Sequence, residues 1–172
     1  MKRRIVMIVL IFFSFILQCT LLRQAAVGGI SPNLLLLLTV SFGLMRGKRE
    51  GMFTGFCCGF LVDLYYGQTL GFTSLLYVTA GYLCGFCCRI FYDDDIKMPV
   101  VLTAASDLGY GICVYVFQFL LRGRVDFFYY FGRIIIPEVI YTMLLTLVCY
   151  RPLLFLNQKL EKGEQRSVDS LV

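Results

Sequence analysis

The strongest constraint on this 172-residue chain is a succession of apolar runs divided by short basic segments. A helix needs roughly 20 apolar residues to cross a hydrocarbon core of about 30 Å. Six spans can be drawn, over 5–22, 31–45, 51–66, 69–91, 98–121 and 134–155. They leave little chain for a separate soluble domain. Composition agrees, with 59% hydrophobic and 16% charged residues, so the expected fold class is an all-α integral membrane protein, a six-helix transmembrane bundle. Residues 1–156 form the membrane domain in this reading and 157–172 a mobile polar tail.

The basic residues set the orientation. With the N-terminus in the cytoplasm, 12 of the 16 lysines and arginines fall on the cytoplasmic side, so both termini are expected there, in the cell membrane. The segment "RGRVDFFYYFGR" breaks the pattern with three arginines on the outer side. Its aromatic cluster reads as an interfacial belt or a docking surface. The net charge of +5 accompanies no basic face or aromatic-basic module, so nucleic acid is not an expected partner. The N-terminal "MKRRIVMIVLIFFSFILQCTLLRQAA" has a signal-like start, but its apolar run is 18 residues long and Gln18 stands before Cys19 where a lipoprotein site wants a small residue. We read it as a retained first helix.

Several chemistries are closed to the chain. It has no histidine, which removes Ser-His-Asp and Cys-His catalysis, imidazole-ligated zinc and His-ligated haem. "CGFCC", residues 84–88, contains a C-x-x-C spacing, yet it stands in an apolar helix without a second pair, and packing explains it better than redox or metal chemistry. The acidic run Asp93, Asp94 and Asp95 reads as a solvated loop. No phosphate loop, nucleophile elbow or catalytic carboxylate pair is evident, so the chain is not expected to be an enzyme or to carry a cofactor or metal.

The third span carries the most information. Gly51, Gly55, Gly59, Asp63 and Gly67 recur at a step of four, forming one stripe that lets another backbone come close. The small faces of the fourth span (Ala80, Gly81, Cys84, Gly85, Cys88) and the fifth (Ala105, Ser106, Gly109) are candidate partners. Asp63 lies three residues before the expected helix end, where its own helix dipole disfavours it. The first amides of the next helix, from about Thr69 to Phe72, can meet it, with Gly67 permitting the reversal and Thr69 capping. Asp63 is therefore expected to join spans three and four as a structural lock. Ser31 and Pro32 read as the cap and first turn of the second span. Spans two and three look short, which places both towards the inside of the bundle. Asp107 is a candidate buried acid whose expected partners are hydroxyls or an arginine, and Glu138, after Pro137, suits the positive end of a helix.

The run "SPNLLLLLTVSFGLMRGKREGMFTGFCCGFLVDLYYGQTLGFTSLLYVTAGYLCGF" resembles the core of the bacterial rod shape-determining protein MreD family. The resemblance rests on Pro32 and Asn33 opening an apolar helix, a short basic loop, the glycine-rich helix with Gly55 and Gly59 ending at Asp63, then "GQTLG" with Gly67 and Gly71, and "FTSLLYVTAGYL". Family members commonly carry an acid after the proline, where this chain has Asn33. The resemblance implies a non-catalytic membrane scaffold of the cell-elongation machinery that binds an MreC-like protein. It also implies indirect links to MreB filaments, to a RodA-type glycosyltransferase and to its transpeptidase, and a fold similar to the substrate-binding S components of energy-coupling-factor transporters. The alternative is a small-molecule binding or transport subunit of that S-component kind.

Overall fold

A computed structural model describes residues 2–22, 31–66, 70–87, 97–119 and 127–169. All of them build helices and their caps. The elements are α1 (Lys2–Leu17), α2 (Leu34–Arg46), α3 (Lys48–Tyr66), α4 (Phe72–Cys87), α5 (Lys97–Val114), α6 (Phe127–Tyr130) and α7 (Ile136–Asp169). Wider π-helical turns extend α1 over Gln18–Leu22, extend α5 over Tyr115–Phe119, and fuse α6 to α7 over Phe131–Ile135. The result is six helical rods among the described residues, each overlapping one span expected from sequence.

The interior combines apolar side chains, among them Met7, Ile11, Leu35, Leu36 and Phe42, with an unusual share of polar ones, while the exterior is largely apolar. Asn33, Thr39, Ser41, Thr54, Asp63, Thr103, Asp107, Thr142 and Thr146 are buried, while Ile5, Phe13, Phe56, Leu75, Val148 and Phe155 are exposed. That distribution suits hydrocarbon around the bundle rather than water. Buried threonines close their hydrogen bonds onto their own helix: Thr39 donates to the Leu35 carbonyl at 3.0 Å, Thr103 to Pro99 at 2.7 Å and Thr146 to Thr142 at 2.6 Å. Two stretches, Lys97–Phe117 and Phe131–Lys159, are long and apolar enough to cross a membrane; Ile5–Thr20, Leu34–Arg46 and Phe72–Cys87 are shorter apolar helices.

α2 is the axis of the bundle. Its residues from Leu34 to Gly43 are all buried, and it touches α1, α3, α4, α5 and α7. Thirteen residues at about 1.5 Å each reach only roughly 20 Å, short for lipid but adequate when neighbours surround every face. α3 departs from the expectation that it too would be interior. It begins at Lys48 rather than at Gly51, so its 19 residues reach roughly 28 Å, and only one face is buried. Phe53, Phe56, Phe60 and Leu64 cover the opposite face and are exposed.

The polar tail also differs from its expectation. α7 continues without interruption to Asp169 through "NQKLEKGEQRSVD", because lysine, glutamine, glutamate and leucine are good helix formers. Its first residue, Asn157, is buried and accepts a hydrogen bond from the Arg46 guanidinium at the end of α2.

Candidate functional site

The third and fourth helices meet through glycine. A methyl group built on Gly51 would stand 2.5 Å from the Gly81 carbonyl oxygen. One built on Gly55 would strike the Tyr77 carbonyl, and one on Gly59 the Cα of Ser74. These obstacles are backbone atoms and cannot swing aside, so each glycine is required for the approach. Gly85 receives the chain turn in the same manner, with Lys48 N at 2.5 Å from its notional methyl group. Gly47, at φ +86°, makes the whole connection between α2 and α3 in one residue. The partner of the glycine stripe is therefore α4. On α5, Ala105, Ser106 and Gly109 line a cleft of about 710 Å³ shared with the Ala80 and Cys84 side of α4.

At the other end of this pair sits Asp63, 2% exposed. One carboxylate oxygen accepts from the Gly71 amide at 3.0 Å, the Ser74 amide at 3.0 Å and the Ser74 hydroxyl at 2.7 Å; the other accepts from the Thr73 amide at 3.1 Å. The geometry explains why an acid stands in the last turn of α3. An ordinary N-cap side chain serves the second and third amides of its helix, which in α4 are Thr73 and Ser74. The residue in the cap position is Gly71, with φ +96° and no side chain to offer. Asp63 supplies the missing oxygens from the preceding helix and meets the positive end of the α4 dipole. Of the donors, Gly71 lies inside the window expected from sequence, while Thr73 and Ser74 lie one and two residues beyond it. Gly67 and Thr69, assigned there to the turn and cap, lie outside the described residues.

A second junction forms around Asn33, 4% exposed. Its side-chain oxygen accepts from the Leu36 amide at 3.2 Å and from the Tyr77 hydroxyl at 2.6 Å, while its backbone amide donates to the Thr142 hydroxyl at 3.2 Å. The Gln18 side chain accepts from the Leu35 amide at 3.0 Å. Asn33 is thus the cap of α2, in place of Ser31, and Pro32 precedes the helix instead of lying in its first turn. The reason is geometric: an extended residue with a short acceptor must directly precede the first helical residue, and Leu34 holds that place. One asparagine thereby ties α2 to α4 and α7.

Asp107 faces this junction, 2% exposed, with the Thr142 and Asn33 side chains within interaction range. Neither of its oxygens is hydrogen-bonded among the described residues. Glu138 lies within electrostatic range of Asp107 and of Tyr110. Its surroundings are not those of a free helix start, because the rod runs unbroken from Phe127 to Asp169. The Ile136 amide bonds back five residues to the Phe131 carbonyl, and this wider turn absorbs Pro137, which has no amide to donate. Tyr110 stacks edge-on against Tyr77 at 5.6 Å, joining the acids to the α4 side.

Tyr77, Thr73, Ser74, Thr142 and Gln18 were missed as site residues from sequence. A signal existed for three of them: Thr73, Ser74 and Tyr77 share a helical face with Gly81, the face most constrained by close packing. Cys84 and Cys87 are free thiols, Cys84 lying 3.4 Å from the Ser106 hydroxyl. The described residues contain no group of three or more His, Cys, Asp or Glu placed to hold a metal ion. The acidic run 93–95, Arg122 and Arg124 lie outside the described residues. Of the aromatic cluster, Tyr129 is exposed and stacks with Arg133 at 5.5 Å.

The family model for MreD, rod shape-determining protein MreD, matches residues 1–160. Neither a curated protein nor a solved structure matches the chain.

Proposed function

The chain belongs to the rod shape-determining MreD family, and from that premise we propose that it is a multi-pass, non-catalytic scaffold in the cytoplasmic membrane, serving lateral wall synthesis during cell elongation. Both termini face the cytoplasm in this reading, following the distribution of lysine and arginine. The partner is an MreC-like protein, through which the scaffold communicates with MreB filaments, a RodA-type glycosyltransferase and its transpeptidase. The carrying observation is that the family match spans all six rods rather than one motif. The latch and the glycine contact support it, since a scaffold must present a fixed surface and these features fix α3 against α4 through backbone atoms.

The test is detergent co-purification from the native membrane with mass spectrometry, paired with depletion. Recovery of a bitopic MreC-like protein and rounding of depleted cells are expected. Normal rods after depletion, or recovery of an energising ATPase with no MreC-like protein, would overturn the scaffold. A second reading, a small-molecule binding subunit of S-component type, draws on the apolar cleft between α4 and α5. Mass spectrometry of the same preparation for a stoichiometric bound metabolite decides it.

A further inference from the structure

The cleft between α4 and α5 runs along both helices and ends at a cation. Its lining extends on α4 from Leu76 to Cys87 and on α5 from Leu102 to Cys113, with the buried Leu36 of α2 at its base. The α4 stretch is about 16 Å long, half of a hydrocarbon core of about 30 Å and so the depth of one leaflet. Leu83 lines the cleft and is 60% exposed, so the cleft opens sideways. Inside it Cys84 lies 3.4 Å from the Ser106 hydroxyl, and the Thr79 hydroxyl is committed to the Leu75 carbonyl. A polar metabolite needs placed polar groups to orient it, and these two hydroxyls are already engaged. Lys48, the first residue of α3, stands at the last turn of α4, where its backbone packs against Gly85. Its ammonium lies 4.2 Å from the centroid of the Phe86 ring and 5.3 Å from that of Tyr82. Both rings line the cleft. They hold the ammonium from one side and leave its remaining N–H donors to an anion; among the described residues no carboxylate pairs with it.

We infer that this cleft seats one acyl chain of an anionic phospholipid, with the Lys48 ammonium on its phosphate group. An apolar slot of one-leaflet depth with a positive charge at its end is complementary to a lipid whose tail is apolar and whose head is net negative. A zwitterionic lipid carries its own cation beside the phosphate and gains less from Lys48, and a free phosphate has no chain to fill the slot. Arg49, exposed in the same turn of α3, adds positive charge nearby without lining the cleft. The site does not depend on the scaffold reading, and a lipid seated there excludes the metabolite of the second reading from the same cleft.

The experiment uses the full-length protein in detergent micelles, titrated with phosphatidylglycerol or phosphatidylcholine of identical acyl chains and followed by melting and by native mass spectrometry of bound lipid. Phosphatidylglycerol is expected to bind saturably and about fivefold more tightly, the contribution of one ammonium near the surface. Lys48→Gln should remove that preference and Arg49→Gln keep it. Gly109→Leu, filling a place with nothing within 4 Å, should weaken binding of both lipids. Absence of a preference in the wild type, equal loss in the two charge variants, binding unchanged by Gly109→Leu, or stabilisation reproduced by chainless glycerol phosphate would each overturn the site. If Lys48→Gln does not accumulate, phosphatidylglycerol with a photoreactive acyl chain decides on the wild type. Crosslinks concentrated on α4 and α5 are expected, and equal labelling of the exposed Phe56 and Phe60 face of α3 would overturn the site.

Discussion

Replacing Asp63 tests the latch most directly. Leucine fills a similar volume but removes every acceptor, stranding the buried Thr73 and Ser74 amides along with the Gly71 amide and the Ser74 hydroxyl. An unsatisfied buried donor costs about 1–3 kcal/mol, so two buried amides alone imply about 4 kcal/mol, close to a thousandfold in the folded fraction. Asparagine behaves differently. Its carbonyl can take the position that accepts three of the four bonds, leaving its amide against Thr73, a loss of about 2 kcal/mol. Heating membranes expressing a fluorescent fusion, followed by size-exclusion chromatography of the solubilised protein, reads both values. The expected order of stability is wild type, then Asp63→Asn, then Asp63→Leu, with shape support in cells following the same order. Wild-type behaviour of Asp63→Leu, or asparagine at least as damaging as leucine, would refute the capping argument.

Other outcomes follow from the same geometry. Gly59→Ala should cost about 1–3 kcal/mol, because its methyl group meets the backbone of Ser74, whereas Gly109→Ala, with nothing within 4 Å, should be neutral or stabilising by up to about 1 kcal/mol; parallel melts distinguish them. Asn33→Ala should lose about 3 kcal/mol through the cap and the stranded Tyr77 hydroxyl, and Tyr77→Phe only about 1 kcal/mol, since the Leu36 amide keeps its acceptor. Gln18→Leu should destabilise by about 1–2 kcal/mol by removing the acceptor for the Leu35 amide, measured in the same assay.

Legibility followed the range of the interaction. The glycine step of four is a local pattern, and it marked the face of α3 that α4 covers. Asp63 was recognisable because an acid in a last turn, just before a reversal, conflicts with its own helix dipole. Gly71 was among its expected donors, while Thr73 and Ser74 fell just outside the expected window because the start of α4 depends on the left-handed Gly71, in a glycine-rich sequence offering several possible starts. Span lengths misplaced α3 for a related reason. Gly51 looked like a boundary, yet Lys48, Arg49 and Glu50 form its first turn, and packing against Gly85 carries the helix that far.

By itself, the chain's pattern of apolar runs and basic breaks determined six rods and their order, since these depend on stretch length and charge alone. It also determined the family. Only the tertiary structure decided that α2 is the axis and that Asn33 accepts from the Tyr77 hydroxyl while its amide donates to Thr142. The physical reason is that leucine facing lipid and leucine facing another helix look the same in sequence. Inside a membrane, direction is conveyed by the few polar groups that must find each other, and their partners lie on other helices, from 44 to 109 residues away in the case of Asn33.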